Sequence, residues 1–420
     1  MIRFIPLFML LIQLSTAKVE QVHLSLTNNQ DEMIVTWITR NYVTSTYLNY
    51  GTSSTWQRNT VKATVTRWLD QGEMKTTRYT HRATLRGLQP GQRYYYHIVS
   101  DDSVSKIFNF VQLDPKKPLR AAIFADLSIF NGYSIEPLNN ATQNGQFDVV
   151  FHIGDFAYDL HSNDGQLGDD FMNAIEPMTS KVPYMTIAGN HEENENFNHY
   201  INRYTMPKNG LLDDNQFWSF DMGPVHFVGI STEYYGFNMS REAQIQYKWL
   251  KQDLEENEKS WTILFMHRPM YCSSKKKKGC NKEENLLTRN GAPGFPGLEK
   301  LFNQAGVDMV FWAHEHTYER YWPMYQGEPF VQPSENHFHD SPTPVYTLTG
   351  AAGCHTHILP NETIAQPFSV KRLGNFGYSI LTVHNDTNIS TGFIDVKTSN
   401  YDNIDPFVLT KSSGFKTGVY

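Results

Sequence analysis

Cysteine is scarce: Cys272, Cys280 and Cys354 are the 3 in a chain of 420 residues, too few for a scaffold built on disulfides. The fold must rest on a buried core instead. Excess positive charge is also lacking, since the formal net charge is -7. Such a chain has no basic footprint for neutralising a phosphate backbone, so no nucleic-acid partner is expected. Small anions stay open as ligands. No apolar run reaches the roughly 20 residues that cross a bilayer, so no stable membrane anchor is expected.

What is present is ordinary for a folded protein, with 40% hydrophobic and 19% charged residues, and rich in aromatics at 14%. That balance disfavours disorder. The length suggests two units. Residues 1–17 read as a secretory signal: Arg3 gives a positive start, Phe4 to Leu14 an apolar stretch, and Ser15-Thr16-Ala17 a small-residue cleavage site. A secreted protein, extracellular or in the lumen of the secretory or lysosomal pathway, would then begin at Lys18. Asn-x-Ser/Thr sequons at Asn140, Asn238, Asn361, Asn385 and Asn388 fit that route as glycosylation sites. Cys272 and Cys280 stand close enough in sequence to bridge a short loop there, with Cys354 left unpaired and buried.

Residues 18–113 alternate short β-rich runs with turns, among them Val22 to Leu26, Met33 to Ile38, Tyr47 to Tyr50 and Tyr94 to Val99, and predict an all-β sandwich. Leu88-Gln89-Pro90-Gly91 before Arg93-Tyr94-Tyr95-Tyr96 is similar to a corner of fibronectin type III domains, where a tyrosine hydroxyl meets backbone. Asp114 to Pro118 reads as a linker. From 119 to 400 the texture is α/β, with buried runs at Leu119 to Phe124, Val149 to Ile153, Tyr184 to Ile187, Trp261 to Met266 and Val307 to Trp312. A helix is predicted after an N-cap at Ser240, on the spacing of Ile245, Trp249, Leu250 and Leu254. Tyr378 to His384 and Ile389 to Val396 alternate like strands, and 401–420 reads as a C-terminal tail.

Each of the five buried runs ends in residues able to bind metal. They are Asp126; Gly154-Asp155-Phe156-Ala157-Tyr158; Gly189-Asn190-His191-Glu192; His267; and His314-Glu315-His316. Strand ends are where α/β folds gather their sites, so five of them can converge on one cleft. Carboxylate and phenolate oxygens suit a hard trivalent ion, whereas imidazoles with an amide oxygen suit a divalent one. His314 and His316 stand two residues apart and would share one face of a regular strand, so a turn would be needed to aim them at different ions.

Taken together these blocks resemble the purple acid phosphatases among the metallophosphoesterases, in the two-domain branch found in plants and animals. Tyr158, three residues after Asp155, marks that subset. The resemblance implies a four-layer αββα catalytic domain behind the β-sandwich, and Fe(III) held by Asp126, Asp155, Tyr158 and His316. It also implies a divalent ion (Zn, Fe or Mn) held by Asp155, Asn190, His267 and His314, with Asp155 bridging. The activity implied is hydrolysis of small phosphate monoesters at acidic pH by metal-activated hydroxide. His191 is the expected catalytic acid, with orientation of the metal ligands as its alternative role. Glu192 is expected to support its neighbours and not to react. A phosphodiesterase of the same superfamily, or a secreted binding module with a decayed metal site, are the alternatives.

The chain departs from the family pattern in three places. Ala125 precedes Asp126 and Ser128 follows it where glycines are usual, and Ala313 stands before His314. The loop after His267 carries Lys275 to Lys278 where plant members place histidines.

Overall fold

The computed structural model describes residues 18–274, 280, 282–357, 359 and 366–418. The expected leader at 1–17, Lys275 to Lys278 and the sequon at Asn361 lie outside them. Among the described residues no helix is long and apolar enough to cross a membrane.

The N-terminal β-sandwich has one sheet formed by Glu20–Ser25, Met33–Thr39, Thr77–Leu85 and Thr64–Leu69. It faces a second sheet built on Thr46–Gly51 and Arg93–Ser100. Inward residues alternate with outward ones along Arg93–Ser100, where Tyr94, Tyr96 and Ile98 are buried, as a half-buried strand requires. At the corner the Gln89 amide donates to the Tyr94 hydroxyl at 2.9 Å, as expected from the fibronectin-like turn.

The second domain stacks two seven-stranded sheets. In the first, Leu119–Phe124 lies parallel to Val149–Ile153, which lies parallel to Tyr184–Ile187. In the second, Trp261–Phe265 and Met309–Trp312 run parallel side by side. Phe151 of the first sheet stacks on Phe265 of the second with ring centroids 4.2 Å apart. Alternation then sorts the second sheet's side chains: Phe227, Phe265 and Phe311 join the core between the sheets. Val228, Leu264 and Val310 join a separate core under the helices. With helices outside both sheets this is the expected four-layer α/β arrangement. The sandwich docks on helix Gln166–Thr179 through a buried ionic cluster: Asp169 accepts from Arg78 of the sandwich and from Arg203, at 2.8 Å each.

Two local expectations are corrected. The predicted helix spans Ser240–Glu256, but Ser240 is its first helical residue and Met239 precedes it without a side-chain cap bond. Ala243, Gln246, Leu250 and Leu254 are its buried face, with Ile245 and Trp249 half-buried at the edge. The expected C-terminal tail is not free over its described residues, 401–418, either: Phe407–Thr410 pairs with Asn388–Asp395 and with His337–His339 in the first large sheet. Its Phe407 and Leu409 are buried, and that apolar alternation over four residues is too short to register as a strand against its polar flanks.

Cys272 and Cys280 form a disulfide, and Cys354 is free and buried. The sequon residues Asn140, Asn238 and Asn385 are exposed, and Asn388 is half-buried.

Candidate metal centre

The strand ends of the two sheets converge as expected. Asp126 follows Leu119–Phe124, Asp155 follows Val149–Ile153, and Asn190 opens a short helical turn after Tyr184–Ile187. His267 follows Trp261–Phe265, while His314 and His316 follow Met309–Trp312. The chain leaves these strands through left-handed backbone at Asp126, Asp155, Tyr158 and His314, with φ of 58°, 57°, 56° and 70°. L-residues rarely take that conformation, and it concentrates at functional sites where surrounding structure enforces it. At His314 it breaks the strand, so that His314 and His316 reach different partners.

Two donor clusters share one carboxylate. Asp155, His267 and His314 bring ligand atoms within 4.8 Å of one another, and Asp126, Asp155 and His316 do the same. His267 Nε2 lies 3.3 Å from Asp155 Oδ1 and 3.3 Å from Asn190 Oδ1. The Tyr158 hydroxyl lies 3.0 Å from Asp126 Oδ1 and 3.0 Å from His316 Nε2. All seven residues picked out as metal ligands are therefore brought together.

The histidines are oriented from behind. His267 Nδ1 donates to the Ile153 carbonyl at 2.9 Å, which leaves Nε2 aimed inward. His316 Nδ1 meets the Thr356 carbonyl at 3.1 Å and Cys354 Sγ at 3.0 Å, with the same result. A metal-ligating imidazole uses its second nitrogen in this way. Close packing shapes the cradle: a β-carbon on Gly189 would come 2.3 Å from Asp155 Oδ1, so no larger residue fits there.

The electrostatics call for added positive charge. Asp126 and Asp155 are almost completely buried. Burial alone would raise the Asp155 carboxyl, but the charges of His267, His191 and His314 outweigh it and hold the group far below the usual carboxylate range. Burial likewise opposes protonation of His267, yet Asp155 and Asp126 pull it up to about 10. The Tyr158 phenol is pushed well above its ordinary value by burial and then by Asp126 and Asp155. His314 Nδ1 is buried without a hydrogen-bond partner. Cations shared between these donors would ionise the phenol, free the imidazoles of protons and give His314 Nδ1 a partner, so the residues fit a pair of metal ions.

Glu192, beside the cluster, accepts from the amides of Gly189, Asp155 and Phe156 at 2.8, 2.9 and 2.9 Å. That ties two ligand loops together. His191 contacts Asp159 through Nδ1, its backbone N–H donates to Asp155 at 3.1 Å, and its Nε2 stands 3.9 Å from Asp155 Oδ2. Burial disfavours its imidazolium, but the Asp159 contact and the Asp155 charge push it up to about 9. Sequence reasoning missed Asp159, Cys354 and Thr356. Asp159 was within reach, since it directly follows Tyr158, whereas nothing in the sequence pairs Cys354 and Thr356 with His316.

Ser128, the departure in the first motif, has no left-handed φ and so does not need glycine. Its amide donates to the Gly353 carbonyl at 2.8 Å, and its hydroxyl accepts from the Phe130 amide at 3.2 Å.

Three family models match the chain: the purple acid phosphatase N-terminal domain over residues 19–112, the calcineurin-like phosphoesterase over 119–318, and an iron/zinc purple acid phosphatase-like C-terminal model over 343–403. Human acid phosphatase type 7 is 37% identical over 384 residues, covering 89% of this chain and 87% of its own. Purple acid phosphatase 21 of Arabidopsis thaliana is 28% identical, covering 87% and 78%. In fold, the chain is similar to a purple acid phosphatase from yellow lupin (Lupinus luteus) seeds, with a TM-score of 0.79, 21% identity, and coverage of 94% of this chain and 75% of that one. The chain therefore belongs to the purple acid phosphatase family of metallophosphoesterases, a family of hydrolases.

Proposed function

We propose that this protein is a secreted acid phosphatase that hydrolyses small phosphate monoesters at a binuclear metal centre. The observation that carries the reading is the pair of donor clusters sharing Asp155. Asp126, Asp155, Tyr158 and His316 would hold Fe(III), because three of the four donors are hard oxygens. Asp155, Asn190, His267 and His314 would hold a divalent ion, zinc, manganese or ferrous iron, on a softer set. When bound, the two ions supply Lewis acidity toward the phosphoryl group and lower the pKa of water at the site.

The chain's own residues supply the rest. Glu192 fixes the loops of Asp155 and Asn190 through three amides. His191 has Nδ1 engaged by Asp159, so its other nitrogen is the one free to carry a proton toward a departing alcohol oxygen. A decayed binding module is disfavoured, since every expected donor is retained and aimed inward. Secretion is supported by the leader at 1–17, by the Cys272–Cys280 disulfide and by the exposed sequons at Asn140, Asn238 and Asn385.

The test is turnover of phenyl phosphate and of bis(phenyl) phosphate by metal-loaded protein between pH 4 and 8, with and without chelator. Chelator-sensitive monoester hydrolysis favouring acid pH is expected. A preference for the diester would move the protein to the phosphodiesterase reading, and no turnover of either by fully loaded protein would favour the decayed site.

A further inference from the structure

Two loops on the Tyr158 side of the centre are bound to each other. Besides the Ser128 amide on Gly353, the loop after Ser128 packs so tightly on Gly353 that a β-carbon there would lie 2.3 Å from the Asn131 carbonyl oxygen, at a φ of 124°. One loop presents Phe130, 81% exposed although it is a large apolar ring. Its turn is held by the Ser128 hydroxyl on the Phe130 amide, a bond that glycine at 128 would not make. The other presents His355, also exposed, between Cys354 and Thr356, which both hold His316.

His355 stands edge-on to the Tyr158 ring with centroids 5.3 Å apart, while His191 meets the same ring at 4.5 Å. The His355 side chain makes no hydrogen bond among the described residues, and the edge of the Tyr158 ring is its aromatic contact. Exposure rises steadily outward: Asp126 and Asp155 are almost fully buried, the His191 side chain is 31% exposed, and His355 and Phe130 are open to solvent. An ester entering phosphate-first would set its phosphoryl oxygens on the buried donors and its alcohol portion at this rim.

Resting on the phosphatase reading above, we infer that Phe130 and His355 form a leaving-group subsite that favours a planar aromatic alcohol over an aliphatic one. An aromatic ring gains offset or edge contacts with both side chains, whereas an aliphatic alcohol gains neither to the same degree. Phe130 and His355 come from separate loops, so each contributes on its own.

Calorimetric binding of benzylphosphonate and methylphosphonate to metal-loaded protein tests this without requiring turnover. Benzylphosphonate should bind about tenfold more tightly to the wild type, and Phe130→Ala and His355→Ala should each cut that preference to about threefold while methylphosphonate affinity shifts less than about twofold. Phe130→Tyr should restore it. Absence of a preference in the wild type, or its undiminished survival in both alanine variants, would overturn the subsite. Hydrolysis of phenyl phosphate measured in parallel separates the two ideas: no turnover beside an intact, Phe130-dependent preference contradicts the catalytic reading and upholds the subsite.

Discussion

The hydroxyl of Tyr158 stands 3.0 Å from Nε2 of His316, although 158 positions separate the two residues in the chain. Asp126 Oδ1 lies 3.0 Å from that same hydroxyl and 3.3 Å from the same imidazole nitrogen. Three donors from three strand ends thus enclose one position. Asp155 links it to the neighbouring one formed with His267 and His314.

Asp155→Asn removes the carboxylate common to both clusters, and an amide cannot offer anionic lone pairs to two cations. The variant should lose one or both ions and at least about a hundredfold in kcat. Elemental analysis beside steady-state kinetics checks this. Full occupancy in the variant would refute the shared ligand.

Glu192→Ala should leave three buried amides without their acceptor. That costs about 3 kcal/mol or more in unfolding free energy, and it should weaken metal affinity by about 10- to 100-fold through the loosened loops. Urea unfolding and metal titration read the two effects separately. A stability change without an affinity change would make the clamp purely structural.

His191→Ala should retain both metals and slow alkyl esters about a hundredfold more than aryl esters, because a phenolate departs with little protonation. Asp159→Ala should shift the same ratio in the same direction but less far, by releasing the imidazole from its fixed orientation. Equal losses on both ester types would instead assign His191 to orienting the metal ligands.

Asp169 gives a test of stability against pH. Burial alone would raise its carboxyl, but Arg203 and Arg78 outweigh burial and depress it. A depressed folded-state value means the stability is fully present above the unfolded-state value of about 3.9 and is lost as pH falls through the folded-state value. Asp169→Asn should therefore cost about 3–5 kcal/mol at both pH 7 and pH 5. The difference from wild type should shrink only below about pH 4. A penalty that already fades between pH 7 and 5 would show that this buried cluster does not stay ionised at the acid pH where the enzyme is proposed to work.

Much of this was legible in the sequence because it is local. The buried runs that end in Asp126, Asp155, Asn190, His267 and His314 announce both the strands and their functional ends. Tyr94 and its turn announce the sandwich corner. What stayed hidden depends on contacts between distant segments. The Glu192 clamp needs amides 36 and 37 positions away. The hold on His316 comes from a loop 38 to 40 positions later. The docking of the two domains through Asp169 joins residues 91 positions apart, and no periodicity signals such a pair. Ser128 illustrates the converse. It stands where the family pattern has glycine, but its backbone is ordinary and its hydroxyl is used.

The central claim is that Tyr158 completes an iron site with Asp126, Asp155 and His316, and the optical spectrum of the purified protein, recorded alongside its metal content, tests it most directly. A phenolate bound to ferric iron produces a visible charge-transfer band that imidazole and carboxylate ligands do not. The iron-loaded wild type should be pink to purple, and Tyr158→Phe should bleach while iron remains measurable on the other ligands. A colourless, iron-loaded wild type, or colour that survives Tyr158→Phe, would contradict the account.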